Sequence, residues 1–193
     1  LIDTGAAGYA PDCGHIDQSL ELAGVQPSDV NAVLLTHLHA DHNGGLVHEG
    51  NAVFRNADIY VHENELDYFG SSEARAAVPS AFRASFDNTI NAKAAYGNRI
   101  KTFSGNTELL PGIHTKELFG HTPGHTGFVI GDGDDQLFMW ADIVHLGPVQ
   151  LRHTEVGVVF DWNGSKAVAT RNAVLEEVSA KGTRVAATHI AFP

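Results

Sequence analysis

The sequence has a single cysteine, Cys13, and no long apolar run. One cysteine excludes an intrachain disulfide framework and a multi-cysteine zinc cluster, and we predict that Cys13 is a small buried hydrophobic side chain. No uninterrupted apolar stretch approaches the roughly 18 residues that a membrane-spanning helix needs. The sequence therefore predicts no membrane segment.

Basic residues are also scarce, with 12 Lys and Arg against 23 Asp and Glu and a formal net charge of -11. Nucleic-acid binding depends on clustered Lys and Arg, so this balance argues against a nucleic-acid partner and favours a small-molecule substrate. A hydrophobic content of 43% over 193 residues is typical of one soluble globular domain. We therefore predict a single domain spanning residues 1–193.

Methionine occurs once, at Met139, and the chain opens on Leu1 and Ile2. We therefore expect a piece of a longer protein, truncated at both ends, in which any targeting segment is not visible. A cytoplasmic and a periplasmic or secreted location both stay open, as do the monomeric and homodimeric states.

Apolar periodicity predicts alternating strands and helices, and hence a mixed α/β fold. Ile16, Leu20 and Ala23 have helical spacing up to Gly24, and a second helix is predicted from a Ser165 cap to Gly182. Residues 63–97 are expected to be mostly helical or irregular. Strands are predicted at the end of Leu1-Ile2 and at residues 32–35, 59–61, 113–119, 126–130, 137–141 and 185–187.

The richest motif follows the predicted strand at 32–35. His37, His39, Asp41 and His42 place four metal-binding side chains within six residues, a set that suits zinc, iron, manganese or cobalt. An extended His-x-His pair directs both rings to one side. Gly44 and Gly45 are expected to give the backbone the freedom for a tight exit.

Three more polar residues stand directly at predicted strand ends. His125 follows a Pro-Gly turn, Asp142 ends the strand at 137–141, and His189 follows the strand at 185–187. Each alone would more often be structural, but together with the first motif they predict one metal-binding region. His121 and His145 lie beside these residues and are candidates for orienting them or for lining a pocket.

The ordered set from His37 to His189 resembles the ligand pattern of the metallo-β-lactamase superfamily, over nearly the whole chain. The resemblance implies an αββα sandwich, two divalent metal ions, and a hydroxide shared between them. It implies that His37, His39 and His125 bind the first metal, that Asp41, His42 and His189 bind the second, and that Asp142 bridges both. Asp3, in the opening Leu-Ile-Asp-Thr-Gly, resembles the aspartate that supports the metal-binding loop in this superfamily.

Departures from this ligand pattern indicate which branch of the superfamily the chain resembles. A cysteine-type class B β-lactamase needs a thiolate where this chain has Asp142, and acyl-homoserine-lactone lactonases carry a tyrosine where it has His145. The runs 142–145, 149–151 and 189–193, with Phe160-Asp161 and Arg171, more closely resemble the methyl parathion hydrolase-like branch. That branch includes phosphotriesterases and hydrolases of lactones and aryl esters.

We therefore predict a dinuclear metal-dependent hydrolase of lactones, aryl esters or phosphotriesters, with zinc as the first expectation. Asp41 and Asp142 are the candidate catalytic residues, Asp41 as an additional proton acceptor. The alternatives are a thioester hydrolase of the glyoxalase II kind and a non-catalytic metal-binding fragment. A nuclease related by fold is opposed by the acidic balance.

Overall fold

The computed structural model describes residues 1–7 and 13–190, which form two compact units, Leu1–Phe103 and Ser104–Pro193. Both units combine strands and helices, which confirms the predicted α/β class. The single domain stays a prediction, and residues 191–193, part of the run compared with the methyl parathion hydrolase-like branch, lie outside the described residues. No helix in the described ranges is long and apolar enough to cross a membrane.

The first unit follows the order expected from the sequence, with an additional hairpin and an additional strand at Ile100–Phe103. Its helices are α1 (Ile16–Leu22), α2 (Ala40–Asn43), α3 (Glu63–Phe69), α4 (Ser72–Ala77) and α5 (Arg83–Tyr96). Its strands are β1 (Ala32–Leu34), β2 (Val47–His48), β3 (Asn51–Ala52), β4 (Asp58–His62) and β5 (Ile100–Phe103).

Strands β1, β4 and β5 form a parallel sheet in the order β1-β4-β5, and Ile2 forms an isolated parallel bridge with Leu34. Strands β1 and β4 bury most of their apolar side chains, as a parallel sheet requires. Val33 in β1 and Ile59 in β4 are at most 1% exposed. Phe54 and Phe86 complete this core. The sheet thereby fixes where the chain leaves β1 and enters the histidine motif.

Gly44 and Gly45 are needed for close approach and not for backbone freedom, which corrects the expectation from the sequence. Gly44 has an ordinary helical conformation, and neither residue has a positive φ. A Cβ on Gly45 would lie 2.2 Å from the carbonyl oxygen of Thr4. The absence of a side chain there allows the first residues of the chain to pack directly against the end of the histidine motif.

The second unit contains one main sheet and two α-helices among its described residues. Its strands are β6 (Glu108–Leu110), β7 (Ile113–Glu117), β8 (Thr126–Ile130), β9 (Leu137–Ala141) and β10 (Arg184–Ala187), and its helices are α6 (Gly147–Gln150) and α7 (Gly164–Lys181). The sheet order is β10-β9-β8-β7-β6, antiparallel except for the parallel pair β9 and β10.

This topology brings several loops to one edge of the second sheet. The carboxyl ends of β9 and β10 coincide because these strands are parallel, and β8 begins at the same edge because it runs antiparallel to β9. Helix α7 packs on the sheet through Val174, which shares a core with Phe138 and Trp140. The residues next to these strand ends, His125, Asp142 and His189, therefore lie on a rigid support.

Two local predictions are wrong. Asn163, and not Ser165, caps α7, because its side chain accepts a hydrogen bond from the backbone of Lys166 and the helix begins at Gly164. Cys13 is exposed and not buried. The predicted end of α7 is confirmed, since Gly182 has a φ of 62°, the left-handed conformation in which helices commonly end.

Candidate metal-binding residues

The histidine motif of the first unit lies where the chain leaves β1 and enters α2. The ring centroids of His37 and His39 are 4.8 Å apart, and those of His37 and His42 are 4.0 Å apart. Asp41 places a carboxylate oxygen 3.6 Å from Nε2 of His42. The structure thus brings together all four residues that the motif contributes.

Asp3 holds this motif through three hydrogen bonds. One oxygen accepts from the backbone N–H of Thr36 at 2.8 Å, and the other accepts from the Thr36 hydroxyl and from Nδ1 of His42, both at 2.8 Å. Asp3 has a φ of 52°, an unfavourable conformation for a residue with a side chain. The left-handed backbone of Asp3 thus lies where its carboxylate binds the histidine motif.

These bonds assign the proton on two imidazole rings. A carboxylate only accepts, so Nδ1 of His42 carries the proton. The Thr36 hydroxyl donates its one proton to Asp3, so its oxygen accepts from Nδ1 of His37, 3.0 Å away. In the neutral rings the Nε2 atoms of His37 and His42 therefore carry the lone pairs, the form in which imidazole binds a metal.

Buried polar side chains fix the backbone between the candidate ligands His37 and His39. The Glu65 carboxylate accepts from the backbone N–H of Leu38 at 2.9 Å, and the Asn43 amide donates to the carbonyl of Leu38 at 3.0 Å. Glu65 and Asn43 are both buried. Because Leu38 separates His37 from His39, the two bonds set the spacing of that pair.

We expect Asp3→Asn to weaken zinc binding by about 10- to 100-fold, the usual effect of removing a hydrogen-bond partner of a histidine ligand. Asparagine retains one acceptor, whereas the carboxylate accepts three hydrogen bonds. The measurement is a zinc titration against a competing chelator, with the exposed Asp17→Asn as the control. An affinity within about twofold of the unsubstituted chain would show that Asp3 does not orient these rings.

Asp142 is the centre of the candidate residues in the second unit. Its side chain is 1% exposed, and its Oδ2 atom lies 3.4 Å from Nε2 of His121, 3.2 Å from Nε2 of His145 and 3.1 Å from Nε2 of His189. The Thr188 hydroxyl donates to Oδ1. Three imidazole rings from three separate loops thus contact one buried carboxylate.

His125 lies in the same group. Its Nδ1 donates to the carbonyl of Leu118 at 3.1 Å, so Nε2 carries the lone pair, and the backbone N–H of Asp142 donates to that atom at 3.3 Å. The side chain is fully buried. Ala141, directly before Asp142, has a φ of 50°, and His189, after the end of β10, has a φ of 60°. The backbone is therefore strained beside two of the candidate residues.

The donor set suits a divalent cation. His121, Asp142 and His145 have ligand atoms that all lie within 4.8 Å of one another. Neighbouring ligands around a tetrahedral zinc ion, with bonds of about 2.0–2.1 Å, are about 3.3 Å apart. The separations of 3.1–3.4 Å around Asp142 match that spacing, and nitrogen with carboxylate oxygen is the chemistry that zinc prefers.

His121 lies between two carboxylates, since its Nδ1 is 3.0 Å from Asp161 and its Nε2 faces Asp142. Burial by itself lowers the pKa of His121, but the hydrogen bonds and charges of Asp142 and Asp161 outweigh it and raise the pKa above its usual value. Burial by itself raises the pKa of the Asp161 carboxyl, but the hydrogen bonds from His121 and Val158 outweigh it and lower that pKa.

An open cavity of about 470 Å³ adjoins these residues in the second unit. His145 and His189 lie on its wall, with the apolar side chains of Leu146, Leu151 and Ile190. The two imidazole rings are stacked, with centroids 5.0 Å apart and planes at 12°. The cavity offers an apolar space directly beside the polar group around Asp142.

Two residues that were not predicted as site residues, Gln150 and Arg171, support the segment after Asp142. The Gln150 side chain accepts from the backbone N–H groups of His145 and Leu146 and donates to the carbonyl of Val156. Arg171 donates to the carbonyls of three residues in the same segment. Nothing in the local sequence identifies these contacts, because each depends on how the loop folds back.

Comparison with known proteins gives one family. The model of the metallo-beta-lactamase superfamily matches residues 1–189, which include every candidate residue described above. An N-acyl homoserine lactonase from Bacillus sp is 30% identical over 111 residues, 58% of this chain. The chain spans 37% of the length of that lactonase in the match.

Solved structures are similar over the whole chain. A structure of AidC, a dizinc quorum-quenching lactonase in complex with a product, has a TM-score of 0.90 and 28% identity, with 100% of this chain and 69% of the other covered. A structure of the hydrolase AbOPH of the beta lactamase superfamily has a TM-score of 0.87 and 31% identity, with 100% and 68% covered. Both resemblances extend through each of the two units.

Proposed function

The chain belongs to the metallo-β-lactamase superfamily, and from that membership we propose that it is a metal-dependent hydrolase that opens lactones. Aryl esters and phosphotriesters are further substrates within the proposal. The observation that carries it is the convergence of three imidazole nitrogens on the buried Asp142 carboxylate. A buried anion surrounded by imidazoles is an arrangement suited to hold a cation.

The proposed ligands follow the superfamily pattern residue by residue. By that pattern His37, His39 and His125 would hold one divalent cation, Asp41, His42 and His189 would hold the other, and Asp142 would contribute to both sites. The proton assignments support this proposal, because Nε2 carries the lone pair in His37, His42 and His125. Zinc is the proposed ion, in line with the donor set and with the similarity to a dizinc lactonase.

Two bound cations would lower the pKa of a water molecule towards neutrality and would polarise the carbonyl group of the substrate. In lactone hydrolysis the water oxygen bonds to the carbonyl carbon, the ring C–O bond breaks, and a proton passes to the leaving oxygen. Asp41, with its side chain 45% exposed, is a proposed acceptor for the proton that the water loses.

The apolar cavity supports a lactone with an attached acyl chain as the substrate. Leu146, Leu151 and Ile190 provide an apolar wall, and His145 lies between that wall and Asp142. We propose that the chain of an acylated lactone lies in this cavity, with its carbonyl towards His145. The similarity to an N-acyl homoserine lactonase and to a lactonase with a bound product supports the same substrate class.

The test combines metal content with substrate hydrolysis. The purified chain is analysed by mass spectrometry for bound metal, and is assayed with an N-acyl homoserine lactone, an aryl ester, a phosphotriester and S-lactoylglutathione. Each assay is repeated after chelation and after zinc is added back. We expect two metals per chain and lactone hydrolysis that is lost on chelation and restored by zinc.

Other outcomes would contradict the proposal in different ways. Hydrolysis of S-lactoylglutathione without hydrolysis of lactones would favour a thioester hydrolase of the glyoxalase II kind. Two metals with no turnover of any substrate would favour a metal-binding protein without activity. Turnover that is indifferent to chelation would exclude the metal-dependent mechanism.

A further inference from the structure

Asp161 is a buried carboxylate that the ligand pattern does not include. Its side chain is 2% exposed, one oxygen lies 3.0 Å from Nδ1 of His121, and the other accepts from the backbone N–H of Val158 at 3.2 Å. Taking a carboxylate out of water is unfavourable unless hydrogen bonds or charges compensate. One of these two hydrogen bonds therefore joins Asp161 to the imidazole that faces Asp142.

The backbone brings Asp161 to His121 independently of that hydrogen bond. The N–H of Trp162 donates to the carbonyl of His121 at 2.8 Å, and the N–H of Asn163 donates to the carbonyl of Gly120 at 2.9 Å. A Cβ on Gly120 would lie 2.4 Å from the backbone nitrogen of Ala167, so only glycine allows this approach to α7. The two loops are therefore fixed side by side.

The carboxylate of Asp161 determines which nitrogen of His121 carries the proton. It accepts from Nδ1, so the neutral ring has its lone pair on Nε2, and that atom is 3.4 Å from Oδ2 of Asp142. A lone pair and a carboxylate oxygen repel each other at this distance unless a proton or a cation lies nearby. Nε2 and Oδ2 thus flank one position that a proton or a cation can occupy.

We propose that Asp161 is a positioning residue that holds His121 in the Nδ1–H form, so that Nε2 of His121, which is not a proposed ligand, faces Asp142 and adds to the attraction of that carboxylate for the cation. The inference rests on the proposed function for the identity of the cation. The hydrogen bond between Asp161 and Nδ1 of His121 is comparable to the hydrogen bond between Asp3 and Nδ1 of His42 in the first unit. Each carboxylate fixes one imidazole and is itself fixed by a backbone N–H group.

The informative variant is Asp161→Asn, which has nearly the same size. If the amide oxygen keeps the bond from Val158, the amide N–H₂ faces Nδ1 of His121 and donates to it, which moves the imidazole proton to Nε2. Asp161→Ala removes both bonds. The control is Glu155→Gln, which removes a charge from an exposed carboxylate in the same segment.

The first readout is the ¹⁵N spectrum of the imidazole rings in the zinc-loaded chain. We expect His121 to be protonated at Nδ1 in the unsubstituted chain and in Glu155→Gln, and at Nε2 in Asp161→Asn. The second readout is zinc affinity by chelator competition, which we expect to fall by more than about threefold in both Asp161 variants, less than for the partner of a direct ligand. With zinc at saturation, kcat for a lactone should fall while KM changes by less than about threefold.

An unchanged proton position on His121 together with a zinc affinity within about twofold would overturn the proposal. Loss of activity alone, with both readouts unchanged, would also contradict it, because that result indicates a merely structural role. If the unsubstituted chain hydrolyses no ester, the proposed function fails, while the proton position and the zinc affinity still decide the role of Asp161. If it binds no zinc, the spectrum is recorded in alkaline solution, where neutral imidazole is observed directly.

Discussion

Replacing Asp142 with asparagine should lower the rate of lactone hydrolysis by roughly a thousandfold, because several kcal/mol of charge stabilisation are lost and each 1.36 kcal/mol corresponds to a factor of ten. The carboxylate Oδ2 is the common neighbour of His121, His145 and His189. Asparagine keeps the shape but removes the negative charge. The chain should also retain less than its full content of zinc, measured by mass spectrometry after dialysis.

Asp132→Asn is the matched control for this prediction. Asp132 lies in the turn between β8 and β9, at the opposite end of β9 from Asp142, and its side chain is 87% exposed. We expect its zinc content and rate to match those of the unsubstituted chain. Full zinc content and undiminished hydrolysis in Asp142→Asn would show that this carboxylate does not hold the metals.

Replacing Arg171 with methionine should reduce the free energy of unfolding by about 3–4 kcal/mol, since one buried and two partly buried hydrogen bonds from a charged donor are lost. Arg171 is 1% exposed and donates to Ile143, Thr154 and Val156 at 2.7, 2.8 and 2.9 Å. Methionine fills much of the same volume, so the effect reports on the hydrogen bonds. Arg171→Ala should be more destabilising because it also leaves a cavity.

Urea unfolding followed by tryptophan fluorescence measures this effect. The control is Arg184→Ala, since Arg184 is 64% exposed and pairs only with an exposed aspartate, Asp135, among its described ion pairs. We expect that control to change stability by less than about 0.5–1 kcal/mol. A similarly small change in Arg171→Met would mean that water replaces the guanidinium and that the segment after Asp142 does not depend on it.

Part of this architecture was predictable from short segments. The apolar run at Ala32–Leu34 and the hairpin of β8 and β9 were predicted correctly, because burial on the faces of a sheet demands those residue types. The N-cap of α7 was not, because Asn163 and Ser165 are both good caps and only the path of the chain from Asp161 decides between them. The burial of Cys13 was predicted wrongly, because a lone cysteine carries no pattern.

The sequence by itself determined the α/β class and the family resemblance, and it located the candidate ligands directly beside strand ends. Those properties depend on side chains that are close together along the chain, such as His37, His39 and His42. The assignment of ligands to two metal ions remains a proposal for the measurements described above. The resemblance in the sequence was sufficient to suggest that assignment.

Only the tertiary structure decided which residues hold the candidate ligands in place. Asp161 lies 40 residues from His121, Thr188 lies 46 from Asp142, and Glu65 lies 27 from Leu38. Hydrogen bonds between such distant residues leave no periodicity or spacing in the sequence, because they depend on where loops return to the same sheet edge or pack beside the same strand. The physical reason is the directionality of the hydrogen bond, which requires a donor and an acceptor to meet within about 3 Å in the folded chain.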